Sequence, residues 1–173
     1  MDHYIPQRRI AVTLWSTALG SVQGWVFLDL DATGNRHQTL LEKLNESSRF
    51  IPLAVGNEGR IQLVNIQRVS RVTAGQHVIQ SDLFTRGFQP WREEDAEVAL
   101  DDGTTLAGSV WMPLQRQSQR ISDFMNQRGW EYFALITPVA VHLINTAAVA
   151  AMKLSESAGA PVAAVNHDER MAA

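Results

Sequence analysis

The chain carries one plan twice, and this limits what it can fold into more than any other feature. Residues 14–72 and 98–152 can be set side by side without breaking their order. Gly24 falls on Gly108, Arg36 on Arg120, Asn45 on Asn126, Phe50 on Tyr132, Leu63 on Leu143, Asn65 on Asn145 and Val69 on Val149. Small gaps separate Arg36 from Asn45 and shorten the last hairpin of the second copy. A tandem duplication of about 60 residues per copy puts each copy near the lower limit of independent stability. The copies are therefore expected to pack on each other or on another subunit.

Hydropathy patterning fills in the plan. Residues 10–16 alternate apolar and polar with the period of a half-buried strand, and residues 21–29 form its return, with Val22, Gly24, Val26 and Leu28 on one face. Residues 36–46 carry Leu40, Leu41 and Leu44 at helical spacing. Residues 50–55 and 60–65 pair as strands around Gly56-Asn57-Glu58-Gly59, a turn in which glycine and asparagine accept positive backbone angles. A turn at residues 66–68 and a last strand at residues 69–73 complete the first copy. The second repeats the order. Strands at residues 97–100 and 104–112 flank an Asp102-Gly103 turn, a helix covers residues 118–127, and strands cover residues 131–136, 139–145 and 147–152. The expected fold class is mainly β with α, an α+β chain of two tandem small β-barrel-like repeats. Each repeat runs strand, strand, helix, strand, strand, short strand. The first repeat spans residues 8–73, a linker with a helical turn near residues 81–85 spans 74–95, the second repeat spans 96–154, and a mobile tail spans 155–173.

The opening VALDDGTTLAGSVW resembles the first hairpin of Sm-like and other SH3-like small β-barrels, and the ending AVHLINTAAVAAM resembles the closure of such barrels. The combination of a G-x-V hairpin, an R-x-x-D-x-x-N helix and a following aromatic strand is also similar to an uncharacterised bacterial domain. The resemblance implies a barrel architecture. It does not by itself imply RNA binding, because one fold hosts many functions. Here, moreover, the helix lies between the second and third strands instead of ahead of the barrel.

Chemistry is sparse. There is no cysteine, which excludes disulfides, thiolate metal sites and cysteine nucleophiles. None of the five histidines stands at metal-ligand spacing from another histidine or a carboxylate. No phosphate-binding loop, nucleophile elbow or triad spacing occurs. No catalytic residue, metal or cofactor is expected. The net charge of −3 disfavours nucleic acid as a partner. Residues 133–152 carry no Asp, Glu, Lys or Arg and approach the length of a bilayer span. Pro138, His142 and Asn145 interrupt them, however, and the equivalent first-copy stretch carries Glu58, Arg60, Arg68 and Arg71, so no membrane span is expected. The first residues lack the basic start and apolar core of a leader, and a cytoplasmic location is expected.

Two sets of side chains are candidates for binding. Arg120, Asp123 and Asn126 stand at three-residue steps on the second helix, with Arg36 and Asn45 as their first-copy echo. They suit either a polar ligand site or, preferably, helix pairing and capping. Trp15, Trp25, Phe27 and Trp111 fall on the strand face opposite the valines and the glycine. Such aromatics mark an interface, either the seam between the copies or a surface for a protein partner or a second copy. The expected function is a non-enzymatic bacterial adaptor or regulatory protein. The alternative is an Sm-like protein that binds nucleic acid or nucleotide.

Overall fold

A computed structural model describes residues 8–30, 37–78, 92–112, 120–127 and 129–155. Its strands are β1 (Arg8–Ser16), β2 (Gly20–Leu28), β3 (Phe50–Val55), β4 (Arg60–Asn65), β5 (Arg71–Gly75), β6 (Arg92–Leu100), β7 (Thr105–Met112), β8 (Tyr132–Ile136), β9 (Ala140–Asn145) and β10 (Val149–Leu154). Two short helices, α1 (Leu40–Leu44) and α2 (Ile121–Met125), follow β2 and β7, and 3-10 turns at Ile66–Arg68 and Thr146–Ala148 lead into β5 and β10. The chain is mainly β with little helix, and the sequence of elements recurs. The expected turn near residues 81–85 and the tail beyond residue 155 lie outside the described residues.

The ten strands among the described residues belong to one antiparallel sheet in the order β10-β6-β7-β8-β9-β5-β1-β2-β3-β4. Within each half the order is the same, with the last strand beside the first. The halves are joined because β5 pairs with β9, Arg71 standing opposite Ile144 and Gly75 opposite Ala140. The sheet is therefore continuous from one half to the other. β4 closes one end of the order and β10 the other.

The core reflects that junction. One cluster of twenty buried residues combines the first half with Tyr132, Ala134, Val141 and Leu143 of the second. The other cluster has ten buried residues, all from the second half. β8 and β9 serve both. Successive side chains on a strand point to opposite faces, so Phe133, Leu135 and Ile144 enter the second core while their neighbours enter the first. This accounts for the run of apolar residues on both faces of these strands, which in isolation resembles a membrane span. No helix among the described residues is long and apolar enough to cross a membrane.

Local chemistry sets the element ends. Thr39 begins α1 with a capping box: its hydroxyl accepts from Glu42 N–H at 3.1 Å, and the Glu42 carboxylate accepts from Thr39 N–H at 2.8 Å. The helix therefore starts at Leu40, four residues later than the expected start at residue 36. Asn65 and Asn145 each accept from the backbone N–H two residues on, at 3.1 and 3.0 Å, and so turn the chain into the 3-10 segments. β6 starts at Arg92 and takes in Glu93, Glu94 and Asp95, whose acidic character reads as linker in the sequence. Gly24 and Gly108 sit where the next hairpin crosses closely. A Cβ on Gly24 would lie 2.5 Å from the Ala54 carbonyl oxygen, and one on Gly108 would meet the equivalent Ile136 carbonyl just as closely.

Candidate functional site: an apolar strand face at the sheet edge

Cross-strand partners in an antiparallel pair share a face. Ala11 is opposite Trp25, Trp25 opposite Ala54, and Ala54 opposite Ile61. Pro52 is opposite Leu63 in the next row of that face. The other face of the same strands holds Val26, Leu28, Ile51, Leu53 and Val64, all buried in the first core. The large side chains of the first face are open. Trp25 is 40% exposed, Phe50 53%, Ile61 58% and Leu63 67%. They form an apolar surface on β2, β3 and β4 that reaches the β4 edge of the sheet.

The four aromatics singled out in the sequence divide between this surface and the interior. Trp25 lies on it. Phe27 is half-buried, with the Arg9 guanidinium 5.8 Å from its ring centroid. Trp15 is half-buried beneath the Arg71 guanidinium at 4.3 Å, a cation–π stack. Trp111 packs against the first core from the second half and so belongs to the seam between the halves. Phe50, Ile61 and Leu63 were not among the sequence candidates. Their signal was present in the match of Phe50 to Tyr132 and Leu63 to Leu143, and in apolar residues on both faces of β3 and β4.

The polar candidates serve the backbone. Asp123 accepts from Arg120 N–H at 3.0 Å in the capping position of α2, and Asn126 ends that helix by donating to the Ser122 carbonyl at 2.7 Å. By position at the helix start, Arg120 answers to Thr39 and Asp123 to Glu42. Arg36 lies outside the described residues. Asn45 ends α1 and reaches across the seam: its Nδ2 donates to the Tyr132 carbonyl at 3.0 Å, and its Oδ1 accepts from Tyr132 N–H at 2.9 Å.

Lys43 donates to Asp29 at 2.9 Å and lies 3.5 Å from Glu46. Burial lowers its pKa, but the Asp29 hydrogen bond and the two carboxylates outweigh this and leave it raised. His142 is half-buried on β9, its Nδ1 3.1 Å from the Thr73 hydroxyl. Burial, and secondarily Arg71, hold its pKa below the ordinary histidine value. No cluster of three or more His, Asp or Glu among the described residues has the arrangement of a metal site. No family model, curated protein or solved structure matches the chain.

Proposed function

We propose that the protein is a non-enzymatic adaptor or regulatory protein of the bacterial cytoplasm. It acts by protein–protein contact through the apolar face of β2, β3 and β4. The recurring unit is, on this reading, a small Sm-like or SH3-like β-barrel unit. The observation that carries the functional part is the exposure of Trp25, Phe50, Ile61 and Leu63 on one face of three neighbouring strands. Scattered apolar side chains are normal on a surface, whereas a shared face of large ones running to a strand edge marks a docking surface.

The test compares the immobilised chain with its Ile61→Lys/Leu63→Lys variant for proteins retained from a bacterial extract, alongside anisotropy of labelled RNA and single-stranded DNA at low and physiological salt. The proposal expects at least one protein, whether another chain or the same one, held by the first and lost by the second. Binding of nucleic acid that weakens steeply with salt would show phosphate contacts and transfer the function to the Sm-like alternative. Identical retention by both proteins would remove this face from the function.

A further inference from the structure

The junction inside the molecule describes a second junction between molecules. At the internal one, β9 of the second half lies against β5 of the first, and four side chains of β8 and β9 complete the first core. The Tyr132 hydroxyl donates to the Ile66 carbonyl at 2.6 Å and the Val69 carbonyl at 3.0 Å. Asn145 Nδ2 donates to the Val69 carbonyl at 3.2 Å, and Asn45 brackets the Tyr132 backbone. Apart from the Tyr132 hydroxyl, which Phe50 lacks, the parts of this junction have counterparts at the two ends of the sheet, and among the described residues these stand open. The repeat places Phe50 where Tyr132 is, Ile61 where Val141 is and Leu63 where Leu143 is. The second-half members are fully buried, and their first-half counterparts are among the large exposed side chains of the molecule. On the opposite edge, β10 stands in the place of β5. Ala74 is 4% exposed, and its counterpart Leu154 is 47% exposed. Asn126, the counterpart of the bridging Asn45, is exposed and bonds within its own helix. Among the described residues, the second core has half as many buried members as the first, and all of them come from the second half.

We infer that the β4 edge of one molecule docks on the β10 edge of a second copy of this chain, repeating the register of β9 on β5. Ala151 then stands opposite Val64, Met152 opposite Leu63, Lys153 opposite Gln62 and Leu154 opposite Ile61. Phe50, Pro52, Ile61 and Leu63 complete the second core of the neighbour, as Tyr132, Ala134, Val141 and Leu143 complete the first core within one chain. The inference rests on the reading of this face as a protein-binding surface and names its occupant. The contact joins two different edges, so it is heterologous. Copies add head to tail and close into a ring where the rotation per molecule allows. A ring also removes both open edges, which otherwise invite uncontrolled strand addition.

The experiment is sedimentation equilibrium on the purified full chain and on two variants, Ile61→Lys/Leu63→Lys in β4 and Ala151→Lys/Leu154→Lys in β10, each checked for a cooperative thermal transition. The expected mass of the unaltered chain is a multiple of the 19.2 kDa monomer. Each variant alone is expected at the monomer mass, and their equimolar mixture at twice that mass, because one supplies an intact β10 edge and the other an intact β4 edge. A monomeric unaltered chain, a variant that dimerises through its one remaining edge, or a mixture that stays monomeric would overturn the inference. Should either lysine variant fail to fold, a cysteine pair tests the same contact. Thr73 and His142 face each other at the internal junction, and their counterparts are Lys153 and Gln62. In this cysteine-free chain, Gln62→Cys/Lys153→Cys is expected to give a ladder of intermolecular disulfides under mild oxidation, and Gln62→Cys alone none. A single monomer band from the pair, or dimers from the single variant, contradicts the register. If the chain alone does not assemble but the face still retains another protein from extract, the named occupant is wrong and the protein-binding reading stands. If neither occurs, both fail.

Discussion

Tyr132 shows how much of the molecule depends on single polar contacts at the seam. Its ring is buried in the first core while its backbone belongs to the second half, and its hydroxyl satisfies two carbonyls at the entry to β5. Tyr132→Phe keeps the ring and removes the hydroxyl donor, leaving the Ile66 carbonyl with the Val69 N–H and the Val69 carbonyl with the Asn145 amide, so a loss of about 1 kcal/mol is expected by chemical denaturation. The two tryptophans separate in the same assay. Trp25→Ala should change stability by no more than about 0.5 kcal/mol, as for an exposed site. Trp111→Ala, which opens space against the first core, should cost about 2 kcal/mol or more. Similar losses from both would remove the distinction between face and seam. His142 adds a pH dependence. Its folded pKa lies below the ordinary value of 6.5, by burial first and Arg71 second. The unfolded chain therefore takes up the proton first as pH falls. The stability contributed by neutral His142 is complete above 6.5 and is lost as pH drops through that value toward the folded pKa. A falling melting temperature over that window, flattened in His142→Gln, is the expected result.

At the scale of elements, backbone demands explain what the sequence made legible and what it hid. Hairpins were readable where glycine was required: Gly56, Gly59 and Gly103 take positive φ values of 69°, 62° and 82°. Gly24 and Gly108 were readable as equivalent. Their reason, the close passage of the Ala54 and Ile136 carbonyls, needed the fold. Gly108→Ala should accordingly destabilise the chain, against the usual preference of strands for alanine over glycine, because the obstacle is backbone and cannot swing aside; thermal unfolding measures this. The helices came out shorter than expected, since capping chemistry at Thr39 and Arg120 overrides apolar spacing in marking where they start. Thr39→Ala should lose about 1 kcal/mol. The acidic start of β6 was hidden, because exposed strand positions tolerate charge and composition alone reads them as loop. The surface candidates were half legible. Trp25 was visible as an aromatic on the face opposite the valines. Phe50, Ile61 and Leu63 had the same apolar character as their buried counterparts, and sequence alone does not say which copy has a neighbour.

At the scale of the whole molecule, the decisive fact is that one sheet runs through both halves and ends in β4 and β10. The internal pairing of β5 with β9 joins strands from the two halves of the chain, a choice no local pattern encodes. It makes the two ends of the sheet unlike each other and complementary by repetition. Amide hydrogen exchange, compared between dilute and concentrated solutions of the unaltered chain, tests this most directly. The account predicts that backbone amides of β4 and β10 gain protection together as concentration rises, while those of β5 and β9, already paired within the molecule, stay the same. Exchange in β4 and β10 that does not depend on concentration, or protection that appears on one edge alone, would contradict it.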